Sequence, residues 1–239
     1  LYGRALSDTF GFRHQRLRYD GTSMSALLPQ VVWRTEGTIP FNQPLSIAHH
    51  ATFREHVDVV FNGHFGDALT GGHMLPALFR MDTVGELASH ILRQRTLLNP
   101  GDARVLFRPE FFDDAMRALK ERLVADLTSL GESRMPLVYN LWDISVRQPR
   151  FTFCAPSVDR YVVEQVTPFT DNAVVDWMLQ MPVRFLVLQD AYRRAIVRSF
   201  PEARNVPWAR TARRIPANLP AAVFAELGRK IRHRLRSPR

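Results

Sequence analysis

The sequence predicts a mixed α/β fold, a partial parallel sheet merging into a helical subdomain, and three observations predict it. Residues 57–61 form a short β-branched run of the kind found in buried strands of parallel sheets. A glycine-rich segment follows at once: Asn62, Gly63, His64, Phe65, Gly66 and Asp67, then Gly71 and Gly72. Beyond it, apolar residues recur at helical spacing for most of the remaining chain. The 239 residues are 46% hydrophobic and 23% charged, an ordinary globular balance with enough length to bury one sizeable core.

Taken in order, Leu1, Ala5, Leu6 and Phe10 share one face of a helix, and residues 14–19 alternate like a strand. Asp20 and Gly21 mark a turn, after which Thr22 is placed to cap a helix interrupted by Pro29. Residues 37–44, with two prolines, read as a loop, and residues 45–54 as a helix. After the glycine-rich segment, helices are expected over residues 82–97, 109–130, 136–146, 172–180 and 191–200. Pro109 suits the first turn of its helix, and Glu110, Asp113 and Asp114 follow where the helix dipole favours acids.

Composition excludes several classes. The lone Cys154 supports neither an intrachain disulfide nor a multi-cysteine zinc site; it reads as a small buried hydrophobe before a nucleophile, and the cytoplasm is the expected compartment. No stretch approaches the roughly 18 apolar residues of a membrane span. Adjacent His49 and His50 point to different helix faces, so no paired metal site is expected there. The net charge of +9 is concentrated at one end. Residues 209–239 hold nine Lys/Arg against Glu226 alone, which leaves about +1 for everything before them. That segment reads as a solvated basic helix, with a phosphate-rich partner or an anionic membrane surface as the alternatives. No aromatic interleaving supports base stacking, so nucleic acid is not the expected partner. Beginning on Leu1 and directly on a helical pattern, the chain is expected to be a segment of a longer protein.

The chemistry is expected at the glycine-rich segment. Ligands of open parallel sheets bind beyond the carboxyl ends of the strands. There Gly63 and Gly66 would let backbone approach a ligand, and Asp67 suits a hard cation such as Mg²⁺ held between carboxylate and phosphate oxygens. A structural turn with a capping Asp67 is the competing reading.

Residues 57–73 resemble a segment of the asparagine synthase family: an apolar strand, Ser-Gly-Glu-Gly-(Ser/Ala)-Asp-Glu, then Gly-Gly-Tyr. Glu164, Pro168, Phe169 and Asp171, followed by a helix and Pro182, resemble the family's Glu-x-Arg-x-Pro-Phe-Leu-Asp run and Leu-Pro. Residues 191–196, with Phe200, Pro201 and Glu202, resemble its Leu-Arg-x-Ala helix and Leu-Pro-Glu ending. Residues 1–19 are similar to the helix and strand that follow its phosphate loop. The resemblance spans residues 1–216 and leaves 217–239 as a basic tail.

The resemblance implies a synthetase domain with an adenine nucleotide alpha hydrolase-like (PP-loop ATP pyrophosphatase) sheet that binds ATP and Mg²⁺. In such a ligase a substrate carboxylate attacks the α-phosphate of ATP, and ammonia from a separate glutaminase domain displaces AMP. By position, Asn62 and Gly63 stand beside the nucleotide, with Gly66 in the same loop, and Asp67 stands at the Mg²⁺-binding aspartate. His64 replaces a glutamate of the amidation step and either acts as a base or is structural. Ala68 replaces the next glutamate, Val166 an arginine, and Gln189 falls near an expected catalytic lysine. The pyrophosphate loop and glutaminase domain are not in this sequence. The chain alone is therefore expected to be inactive, with an open sheet edge and marginal stability. A catalytically degenerate binding or scaffold protein is the alternative. The carboxylate, which is a small molecule or a peptide, and the oligomeric state are not specified by the sequence.

Overall fold

The computed structural model describes residues 2–18, 21–38, 45–95, 100–216 and 218–236. In chain order the elements are α1 (Tyr2–Phe10), α2 (Gly21–Thr35), α3 (His50–His56), β1 (Val59–Phe61), α4 (Gly66–Leu69), α5 (Val84–Arg95), α6 (Pro100–Leu106) and α7 (Pro109–Thr128). They continue with α8 (Met135–Trp142), α9 (Gln148–Phe151), α10 (Cys154–Ser157), β2 (Glu164–Val166), α11 (Asn172–Leu179) and α12 (Asp190–Ser199). The last are β3 (Pro207–Trp208), β4 (Arg213–Arg214) and α13 (Leu219–Arg236), with short 3₁₀ turns between many of them. The chain divides into two compact units, residues 74–148 and the remainder, 1–73 with 149–239.

The continuous unit is helical. α5, α7 and α8 pack against one another around Leu87, Ala88, Ile91, Leu127 and Val138, all buried. Thr83 and Glu86 form a capping box at the start of α5: the Glu86 amide donates to Thr83 Oγ1 at 3.2 Å, and Glu86 Oε2 accepts from the Thr83 amide at 3.3 Å. Hydrogen bonds from the Asp82 amide first and the Thr83 amide second hold the Glu86 carboxyl below the usual carboxylate range. Pro109 sits in the first turn of α7, as its fixed φ and missing N–H allow. Asp113 and Asp114 pair with Arg104 and Arg117, so this acidic cluster is neutralised helix-surface charge. α8 runs into one π turn, Asp143–Arg147, rather than continuing as regular helix to residue 146.

The discontinuous unit carries the sheet. β1 and β2 pair in parallel, Val59 with Glu164, Val60 with Gln165 and Phe61 with Val166. Two expectations are corrected here. Residues 14–18 form no strand, because alternation alone makes no ladder without a partner, and residue 19 lies outside the described residues. The strand expected over 57–61 is shorter and not buried: Val59 and Phe61 are exposed, Phe61 to 76%, since among the described residues β1 is hydrogen-bonded to β2 alone. The helix expected over 45–54 begins as a 3₁₀ turn, Leu45–His49, before α3. α2 runs through Pro29. Residues 39–44 of the expected loop lie outside the described residues. Val31, Ile47 and Val158 form one buried cluster, and Asp171 caps α11 by accepting from the Ala173 amide at 2.8 Å.

Candidate functional site

β1 delivers the chain into residues 62–72 at the carboxyl end of the two parallel strands. Asn62 continues the ladder by donating its amide to Val166 O at 2.8 Å. Its side-chain oxygen accepts from the His64 amide at 2.9 Å, a turn that Asn favours and that starts the chain coiling back. Phe65 then takes a left-handed conformation, φ 69°, and caps α4, a single helical turn that begins at Gly66. A left-handed phenylalanine costs on the order of 1–2 kcal/mol. It is held by packing, for Phe65 is buried with its ring 5.3 Å from that of Phe153.

The glycines divide by what surrounds them. A Cβ at Gly66 would meet the Phe169 ring at 2.7 Å, so this buried glycine lets the loop lie against the Pro168–Thr170 turn. Gly71 has φ +88°, and a Cβ there would fall 2.1 Å from Leu186 O. A Cβ at Gly72 would overlap Asp67 Oδ1. Gly63 differs: it is exposed, no atom lies within 4 Å of where its Cβ would be, and its φ is ordinary. Of the four glycines in residues 62–72, Gly63 alone presents backbone to open space.

Asp67 lies in the first turn of α4 with its side chain 63% exposed and Oδ2 3.2 Å from His73 Nε2. A hard, accessible carboxylate beside open backbone fits Mg²⁺, which is commonly held by one or two carboxylates plus phosphate oxygens. His64 sits on the other side of the turn. Its ring meets Phe153 edge-on at 5.2 Å, and its Nε2 is shielded from solvent with no hydrogen-bond partner. Burial lowers the His64 pKa below 6.5, so the ring is neutral at pH 7 and Nε2 is an unsatisfied polar atom.

A chain of side-chain hydrogen bonds beneath the loop gives it a fixed polarity. Arg34 Nη1 lies 2.7 Å from His50 Nδ1, and because guanidinium only donates, Nδ1 is the acceptor. His50 Nε2 therefore carries the hydrogen and donates to Asp159 Oδ1 at 3.0 Å. Ser46 Oγ donates to the same oxygen. From the other side Gln165 Nε2 donates to Asp159 Oδ2 at 2.9 Å, and Asn62 Nδ2 donates to Gln165 Oε1 at 3.2 Å. Asp159, an acceptor only, thus orients Gln165, which orients Asn62, which receives the His64 amide. Burial lowers the His50 pKa; Asp159 opposes that shift, and the Arg34 and Arg54 charges add to it.

A second set of bonds holds the far end of the loop. Gln189 Nε2 donates to Thr70 Oγ1 at 2.8 Å, and Thr70 Oγ1 donates to Gly66 O at 2.6 Å. Gln189 and Leu188 are both left-handed, φ 59° and 50°, without glycine or asparagine to signal it. Arg193, fully buried, donates to Leu188 O and Asp190, and burial lowers its pKa. Arg210 donates to Gly72 O at 2.8 Å and pairs with Glu226 of α13.

The structure therefore brings Asn62, Gly63, His64, Gly66 and Asp67 into one turn, with Gln189 beneath it. Asn62 and Gly66 face protein, whereas Gly63 and Asp67 face outward. The sequence does not announce this relay, because its two linking bonds, His50 to Asp159 and Asn62 to Gln165, join residues about a hundred positions apart. A cleft of about 620 Å³ opens at the opposite, amino ends of the strands, lined by Arg54, Asp58, Arg160 and Glu164 among others.

Residues 1–148 match the family model described as asparagine synthase, more than half of the chain. The chain belongs to the asparagine synthase family. The matched stretch includes residues 62–72 and ends before Glu164 and Gln189, so those likenesses rest on the residues themselves. No curated protein and no solved structure matches the chain. Among the described residues no helix is long and apolar enough to cross a membrane, and no group of three or more potential metal ligands is gathered.

Proposed function

We propose that this asparagine synthase family chain forms one wall of the nucleotide site of a cytoplasmic, ATP-dependent amide-forming ligase. One observation carries the reading: in a family-matched segment, Gly63 and the Asp67 carboxylate are presented to solvent at the carboxyl end of a parallel strand pair. The reaction is attack of a small-molecule or peptide carboxylate on the α-phosphate of ATP, which releases pyrophosphate and leaves an acyl-adenylate, and then attack by ammonia derived from glutamine or by another amine, which releases AMP and forms the amide. Residues 1–216 would belong to the synthetase domain, on an adenine nucleotide alpha hydrolase-like sheet, and 217–239 to a basic extension.

Asp67 would hold Mg²⁺, and the ion would neutralise charge on the ATP phosphates. Gly63 lets backbone approach the nucleotide, and Asn62 fixes the turn that presents it. His64, neutral at pH 7 and with Nε2 unsatisfied, is the proton acceptor for the attacking amine. The test is ATP–pyrophosphate exchange by the intact protein: Asp67→Asn should abolish it, and wild-type exchange by that variant would remove Asp67 from the site.

A second reading, a degenerate member that binds without catalysis, draws on Asp67 Oδ2 being engaged by His73 and on His64 Nε2 being shielded. Exchange activity in the intact protein rules it out.

A further inference from the structure

α13 has two faces, and only one is committed to the rest of its unit. Ala222 and Glu226 are buried, and Glu226 is gripped by Arg210 Nε at 3.2 Å and Arg229 Nη2 at 2.6 Å. On the opposite side Phe224, Leu227 and Ile231 follow at i, i+3 and i+7, exposed to 74%, 51% and 59%. In the sequence, positions 230, 232, 234 and 236 that follow are all Lys or Arg. The only acid in residues 209–239 is Glu226, and it is buried in its arginine clasp.

We propose that α13 is an interfacial helix that lays the row of Phe224, Leu227 and Ile231 into the surface of an anionic lipid bilayer. A basic helix with an apolar stripe lies in the plane of such a surface, its stripe among the acyl chains and its cations at the headgroups. An anionic bilayer meets both halves of this surface. A polynucleotide would meet the cations and leave the aromatic and aliphatic row in water. A second copy of α13 would cover the row but set arginine against arginine with no acid to separate them.

The full chain is sedimented with phosphatidylcholine vesicles, alone or with about a third phosphatidylglycerol. Binding is expected to the anionic vesicles and to fall with salt. The triple variant Phe224→Ser, Leu227→Ser, Ile231→Ser should bind at least about tenfold more weakly. Arg232→Gln, Arg234→Gln and Arg236→Gln should each weaken binding about fivefold. The single change Phe224→Ser serves as the milder form should the triple variant lose helicity by circular dichroism. Unchanged vesicle binding by the serine variants overturns the proposal, as does no binding by the wild type. Heparin binding in place of vesicle binding would assign the face to a polyanion. A dimer that the serine variants dissociate would assign it to a second copy. Either result also overturns it.

Discussion

His50 and Asp159, more than a hundred residues apart in sequence, meet at 3.0 Å beneath the glycine-rich turn, and the carboxylate, at the centre of a five-residue relay, accepts from His50 on one side and Gln165 on the other. Asp159 has hydrogen-bond donors on both oxygens. Asp159→Asn turns one of those oxygens into a donor that faces another donor. That change should cost about 2–3 kcal/mol in urea unfolding. It should also weaken ATP binding by the intact protein, because the Asn62 turn is no longer held. Asp159→Glu tests rescue; an Asn variant that unfolds like the wild type would disprove the relay.

The two shielded imidazoles set an acid limit on stability. The folded-state pKa values of His50 and His64 lie below 6.5, so under acid conditions the unfolded chain binds protons that the native state refuses. Their neutral forms leave stability intact above pH 6.5, and it should decline as pH falls below that value. Chemical denaturation midpoints between pH 7.5 and 5 would show it. The decline should be shallower in a His64→Leu variant.

The same variant separates structure from chemistry. Replacing an unsatisfied buried nitrogen by an apolar group is nearly neutral or stabilising. His64→Leu should therefore melt within about 1 kcal/mol of the wild type and keep ATP–pyrophosphate exchange, while amide formation falls by about a hundredfold or more. Full amide-forming activity in this variant would make His64 a packing residue.

Gly63 and Gly66 should respond in opposite ways to alanine. Gly66→Ala drives a methyl into the Phe169 ring and should destabilise by about 1–3 kcal/mol. Gly63→Ala adds a methyl to open space and should leave the melting temperature unchanged, but raise KM for ATP. Equal stability losses at both positions would contradict this division.

At the other end of the loop, Glu226 is the ionic anchor of α13. Burial alone would raise its pKa, but hydrogen bonds from Arg229 and Arg210 with their charges hold it at about 2. Relative to the ordinary value of 4.5, that depression contributes about 3 kcal/mol, present above pH 4.5 and lost as pH falls toward 2. Glu226→Gln should cost a comparable amount at pH 7, and the gap to wild type should shrink by roughly half at pH 3. A gap independent of pH would mean that packing, not charge, holds the helix.

How much of this was legible depends on the range of the interaction. Local signals served well: Pro109 opens α7, a helix follows Asp171, and the glycines around Asp67 follow a strand. What needed a partner far along the chain was not legible. Residues 164–166 carry a motif but no strand signal of their own, because only their pairing with 59–61 makes them a strand. The alternation in residues 14–18 misled for the same reason. Nothing in Leu188 or Gln189 announces two successive left-handed residues, since packing rather than propensity imposes them. The sequence offers Gly66 as room for a ligand, and the structure fills that room with Phe169.

The parallel pairing of Val59–Phe61 with Glu164–Val166 also orders events on the ribosome. Residues 74–148 are contiguous and complete their helical contacts among themselves as soon as they emerge. Residues 1–73 cannot do the same, because β2 lies about a hundred residues further on. At roughly 5–20 residues per second that wait is on the order of 5–20 s. During it Phe61 and the start of the glycine-rich turn stand without their neighbour, so the exposed apolar strand that leads into this turn is a segment for a chaperone to cover while the chain is being made.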